Sequence, residues 1–225
     1  MRNADKDRKL LGLVLRRTNY GEADRILNLI TPVGKISAMA KGVRRPKSKM
    51  AGGVEIFTLS EYNVHFGKDD FGVVTGVKMV KHFGGIIKDY GKMELGAMML
   101  SKINTAAEGV DTAEYFELLK TSLTALDQNV ASEIVEAWFI MNFKKLVGEE
   151  INLYLDKNNK KLQPQTNYLW DPSEMVFVKN DRGDYGENEI KIMRLMMSTR
   201  PEVVARVKNI DQNMGKILNF ARSVI

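Results

Sequence analysis

Cysteine is absent from the 225 residues, which excludes disulfides, thiolate metal sites and cysteine nucleophiles together. Histidine occurs twice, at His65 and His82, with no H-E-x-x-H spacing; on a strand and at a domain junction such residues are more often packing or surface groups than metal ligands. No metal or other cofactor is expected. Apolar runs fall short of the roughly eighteen residues that a membrane span needs. The opening MRNADKDRKL is charged where a signal peptide turns apolar, so a cytoplasmic protein without membrane contact is expected.

Catalytic motifs are equally scarce. In GGIIKDYGKM the interval from Gly85 to Gly91 is one residue too long for a phosphate loop, and Met93 stands where the Mg²⁺-binding Ser or Thr belongs. There is no G-x-S-x-G and no recognisable set of nucleophile, base and orienting residue. Asp69 and Asp70, adjacent in a turn, read as solvated carboxylates before they read as a Mg²⁺ site. The expectation is a protein that is not an enzyme. The alternative is a nuclease with carboxylates dispersed along the chain.

What the sequence does have is charge, unevenly spread. Residues 1 to 50 hold 13 Lys and Arg against 4 Asp and Glu, a balance of +9, while the other 175 hold 21 against 24, or −3. A basic N-terminal part facing a polyanion accounts for this polarity; general solubility is the competing account. The segment KGVRRPKSKMAGG, residues 41 to 53, places five cations and no anion in its first nine positions.

Hydropathy divides the chain in two. From Leu10 to Val80 the pattern is of strands: 10–17, 25–31, 35–41, 54–66 and 73–80, separated by turn residues such as Asn19 and Gly21, and Pro32 and Gly34. Five short antiparallel strands predict a small closed barrel, with the OB-fold the leading choice. From Gly84 the period becomes helical. Helices are predicted over 89–109, over a segment opened by the capping-box-like DTAE at 111–114, and over 131–148. Two more follow, at 187–199 and 211–225, after a polar stretch at 149–187 that reads as a small hairpin excursion. The fold class is α+β: an N-terminal five-stranded OB-fold barrel over residues 1–82, then a mainly α-helical domain over 83–225 with a small polar insertion.

In such a barrel the face of strands 2 and 3, with the loop joining strands 1 and 2, is the usual surface for oligonucleotides. The candidate DNA-binding set is Arg16, Arg17, Tyr20, Arg25, Lys35, Lys41, Arg44, Arg45, Lys47 and Lys49. Cations neutralise phosphates, while Tyr20, with Tyr62 or Phe66, stacks on unpaired bases. The 41–49 segment is expected to be a flexible clamp that has no fixed partner of its own and orders on a polynucleotide.

These residues carry a resemblance. The run YGEADRIL at 20–27, then T-P-x-G-K at 31–35 and A-K-G-x-R-R-P-K-S at 40–48, is long, ordered and peculiar to the RecO family of bacterial recombination mediators. Over 60–148 the likeness is one of layout, with FKKLVG at 143–148 standing at the helix end before the family's insertion. The resemblance implies an OB-fold that binds single- and double-stranded DNA without sequence preference, and a nucleoid-associated place in the cytoplasm. It implies strand annealing, binding of the acidic C-terminal tail of single-strand-binding protein, and joint action with RecR in loading RecA onto coated DNA. A general RNA- or tRNA-binding OB protein is the alternative. Many members place a four-cysteine zinc site in the insertion. Here residues 149–187 have no cysteine, so apolar contacts of Tyr168, Leu169, Trp170, Val176, Phe177 and Val178 must hold it. For the acidic tail, with its terminal Phe, the candidate pocket is Phe116, Lys120, Phe143, Lys144 and Lys145.

Overall fold

The computed structural model describes residues 6–67 and 70–225. Asp69 therefore lies outside the described residues. Two compact units divide the chain, Met1–Asp127 and Gln128–Ile225.

In the first unit β1 (Asp7–Tyr20), β2 (Asp24–Thr31), β3 (Gly34–Ala40), β4 (Thr58–Phe66) and β5 (Phe71–His82) close into a barrel of order β1-β2-β3-β5-β4. All neighbours are antiparallel except β3 and β5, whose parallel seam runs only from Ser37↔Phe71 to Ala40↔Val74. This is the predicted OB-type barrel. The long β1 serves two partners: Asp7–Leu13 pairs with β4 and Leu13–Tyr20 with β2, with a register shift at Leu15 that bends the strand around the barrel. Inward-facing Leu10, Val14, Leu27, Leu29, Ile36, Ala38, Tyr62, Val64 and Val74 fill the interior. Pro32 and Gly34 make the β2–β3 turn as the sequence predicts, and the Thr31 hydroxyl locks it by donating to the Gly34 carbonyl at 2.8 Å and accepting from Val33 N–H at 3.2 Å.

One strand starts later than predicted. Residues 54–57 are not part of β4, because Ala51–Val54 form a single 3-10 turn and Phe57 has φ of +60°. The Gly53 carbonyl explains it by accepting from Tyr62 Oη at 2.8 Å and Ser60 Oγ at 2.9 Å. These bonds pull the turn into the barrel end, where a Cβ on Gly53 would meet Val77 Cγ1 at 2.4 Å. Burial pushes the Tyr62 phenol pKa upward.

The first unit continues through α1 (Gly84–Ile87), α2 (Tyr90–Ala106) and α3 (Ala113–Asp127). Asp89 caps α2 by accepting from Lys92 N–H at 3.0 Å, and Gly109 at φ +69° follows its end. Asp111 accepts from Ala113 N–H at 3.0 Å, two residues on, at the entry to α3. The Thr112 hydroxyl donates to the Thr31 carbonyl at 2.7 Å, tying that entry to β2. Gly96 lets α2 press on Phe57, whose ring would lie 2.7 Å from an added Cβ.

The second unit contains α4 (Ser132–Leu146), the hairpin β6 (Tyr168–Asp171) and β7 (Val176–Lys179), then α5 (Glu187–Ser198), α6 (Pro201–Val204) and α7 (Ile210–Ser223). Trp138 Nε1 donates to the Thr199 carbonyl at 2.7 Å, and Arg222 forks onto Glu136 at 2.6 and 2.8 Å. The insertion is the predicted hairpin. Of its expected anchors, Tyr168 and Phe177 are buried, Trp170 is half-buried and Leu169 is exposed. Two residues not foreseen complete the cluster: Phe220 of α7 packs 4.7 Å from Trp170 and 5.7 Å from Phe177, and Tyr185 packs 5.5 Å from Phe220. Aromatic packing thus ties the hairpin to α7.

Candidate nucleic-acid interface

Strand alternation sorts the basic residues of the first hairpin. Arg17 pairs across β2 with the inward-facing Leu27, and Arg25 with Asn19, so these side chains share the face that continues the barrel interior. Between them stands Glu55. Arg25 Nη1 donates to Glu55 Oε1 at 2.6 Å and Arg25 Nε to Asn19 Oδ1 at 3.2 Å, while Arg17 pairs with the other Glu55 oxygen. Burial, with the Arg17 and Arg44 guanidiniums beside it, holds the Arg25 pKa below the ordinary arginine value. Arg16 and Tyr20 fall on the opposite, outer face, and both are exposed.

The 41–50 segment differs from the flexible clamp expected of it. It is a chain of tight turns with fixed partners. Gly42 N–H donates to Asp24 Oδ1 at 2.7 Å, Arg44 N–H to the Ala23 carbonyl at 2.8 Å, Arg45 N–H to Gly42 at 3.1 Å and Ser48 N–H to Arg45 at 3.0 Å. Val43 is buried in the barrel core. Arg44 Nη1 also reaches the Gly21 carbonyl at 3.2 Å. The segment is therefore stitched to the first hairpin turn, bringing Lys41, Arg44, Arg45, Lys47 and Lys49 beside it with their side chains in solvent. These five and Arg16 have no carboxylate partner among the described residues.

Lys35 is not free. Its ammonium donates to the Asn104 carbonyl at 2.7 Å and pairs with Glu108 at the end of α2. Of the stacking rings, Tyr20 is 55% exposed, but Tyr62 is fully buried and unable to meet a base, and Phe66 packs against the core under the Arg8 guanidinium at 5.0 Å. The sequence reading missed Phe71, whose ring is 40% exposed at the start of β5. The alternation of FGVVTGV, with Val74 as the inward residue, was the signal available for it.

The residues offered for the acidic tail belong to different units. Phe116 is a core residue of the first unit, with Lys120 at 5.4 Å over its ring and bonded to Glu117 at 2.5 Å. Phe143 is a core residue of the second, stacked on Phe139 at 5.7 Å, and the neighbouring Lys144 and Lys145 pair with Glu149 and Glu150. Both rings are buried, Phe116 1% and Phe143 8% exposed. His65 lies 2.8 Å from Asp7, and the described residues contain no cluster of three His, Asp or Glu that could hold a metal. No helix among them is long and apolar enough to cross a membrane.

Comparison with known proteins adds the lineage to this geometry. The family model described as "Recombination protein O N terminal" matches residues 6–83, the barrel and the residue after it. A DNA repair protein RecO of Dehalococcoides mccartyi strain CBDB1 is 30% identical over 213 residues, covering 90% of this chain and 83% of that protein. The chain belongs to the RecO family. Other RecO proteins match over shorter stretches: that of Acetivibrio thermocellus is 33% identical over 128 residues, 56% of this chain and 51% of its own length. That of Anaeromyxobacter sp. strain K is 37% identical over 124 residues, 53% and 48%. Family membership thus connects the chain to DNA repair, and the matched segment carries the cations that have no carboxylate partner among the described residues.

Proposed function

We propose that this RecO-family chain is a non-enzymatic mediator that binds single- and double-stranded DNA without sequence specificity, anneals complementary strands and, with RecR, helps load RecA onto DNA coated by single-strand-binding protein. The observation that supports this reading is the set of six cations without carboxylate partners among the described residues, Arg16, Lys41, Arg44, Arg45, Lys47 and Lys49. Five of them sit on turns that are bonded to the hairpin through Gly42 and Arg44 and to one another through Arg45 and Ser48. Unpaired guanidinium and ammonium groups on a fixed backbone suit phosphates, since they bind charge without reading bases and lose little conformational entropy in doing so. Annealing follows from neutralisation: two polyanions approach once their phosphates are screened.

Annealing of two complementary oligonucleotides coated with the cognate single-strand-binding protein, with or without its acidic tail, tests the proposal. Wild type accelerates annealing, and Arg44, Arg45, Lys47 and Lys49 all changed to Ala abolishes most of that acceleration. Deletion of the tail also lowers it. Acceleration by the quadruple variant equal to wild type would remove the turn segment from the mechanism.

A further inference from the structure

The outer face of the barrel carries a second kind of chemistry beside the cations. Arg16 of β1 is in register with Asn28 of β2, Asn28 with Ser37 of β3, and Ser37 with Phe71 of β5. Adjacent strands lie about 4.8 Å apart, so this row crosses roughly 14 Å of surface. It runs from a guanidinium through an amide and a hydroxyl to a phenyl ring. The ring is forced outward: Gly72 beside it faces the interior, where an added Cβ would lie 2.3 Å from Val64 Cγ1, and alternation then turns Phe71 to solvent. No other ring or cation of the described residues stacks on it. Ser37 Oγ donates to Asn28 Oδ1 at 3.3 Å, leaving the Asn28 amide with N–H donors and Ser37 with acceptor lone pairs.

Next to the row is a hollow of about 190 Å³, lined by Asn28, Lys35, Ser37, Ala107, Glu108 and Gly109. Its lining is mainly polar, which does not suit a lipid or an apolar peptide. An aromatic plate beside an amide and a hydroxyl matches a nucleobase, which has a π-face and a hydrogen-bonding edge; Lys35, already paired with Glu108, is not counted among its contacts.

We propose that the outer face of β2, β3 and β5 holds an unpaired nucleobase, stacked on Phe71 and faced by Asn28 and Ser37, and so gives the chain a preference for single strands. This rests on the DNA-binding reading above. The 41–50 turns take backbone of either form, and the Phe71 face takes only a base that has left its duplex.

Fluorescence anisotropy with three ligands of equal length separates the contributions: oligodeoxythymidine, the same strand without bases, and a duplex. Phe71→Ala weakens binding of oligodeoxythymidine about 5- to 150-fold, the range of one lost base stack, and leaves the base-free strand and the duplex unchanged. Phe71→Tyr keeps wild-type binding, and Asn28→Ala reproduces the selective loss in milder form without touching the ring. Equal loss on all three ligands, or none on any, overturns the base site while leaving the phosphate contacts standing. A wild-type chain that binds none of the three overturns the DNA-binding reading and the base site with it.

Discussion

Glu55 stands between Arg17 and Arg25, and its replacement by glutamine separates two contributions that the sequence mixes. An amide of the same shape still accepts a hydrogen bond from Arg25, but it neutralises neither guanidinium. Glu55→Gln is expected to cost about 1–2 kcal/mol, the loss of charge-assisted hydrogen bonds at a partly exposed site, seen as a lower Tm. The same variant should bind single strands more tightly at low salt, because two cations are released toward a polyanion. Lower stability with unchanged affinity would mean that Arg17 and Arg25 face away from the bound strand. The sequence shows nine cations in the candidate set, but it does not show that three of them are occupied. Glu55 lies 38 and 30 positions from its partners and Glu108 lies 73 from Lys35, and pairing at such separations is fixed by barrel closure, not by local pattern. Tyr62 is the opposite case: expected to stack on bases, it is buried, and its alternation with Ser60 and Val64 on β4 was the available signal.

At the scale of elements, turn chemistry made the strands legible: Gly21, Pro32 and Gly34 interrupt the β-forming runs where the chain reverses. The 41–50 segment has the composition of a solvated loop, which hides the hydrogen bonds that fix it. Its partners, Asp24 and the Ala23 carbonyl, lie about twenty residues earlier, and no periodicity encodes them. The insertion was legible as a hairpin and in its own anchors Tyr168 and Phe177, but not in the partner they pack on, since Phe220 belongs to a helix far along the chain. One glycine there permits the closure. An added Cβ on Gly183 would lie 2.3 to 2.6 Å from the backbone of Tyr168, where Tyr168 and Tyr185 exchange hydrogen bonds of 2.9 and 3.0 Å. Gly183→Ala should push the turn off β6 at a cost of about 1–3 kcal/mol. Limited proteolysis should then cut within residues 156–186 while the helices persist by circular dichroism. A protease pattern identical to wild type would show that the turn relaxes without releasing the strand.

For the whole molecule the charge is concentrated in the barrel-containing unit. Residues 1 to 127 hold 20 Lys and Arg against 15 Asp and Glu, and residues 128 to 225 hold 14 against 13. Counterion release makes the number of engaged cations measurable. Six phosphate contacts on a single strand give a log–log salt slope near −4, whereas engagement of all nine cations of the candidate set gives about −6. A titration of oligodeoxythymidine binding against salt distinguishes the two, and a slope near zero excludes phosphate binding as the source of affinity.

The two-partner strand β1 has a consequence for the order in which the interface comes into being. Its second half finds β2 within a few residues, and its first half must wait for β4, which begins only at Thr58. Once residues 1–50, which carry thirteen cations, have emerged, the β1–β2 hairpin can form but the barrel cannot yet seal. During synthesis the positive charge is therefore exposed before the architecture that presents it, and productive binding awaits the arrival of β4 and β5 to close the ring.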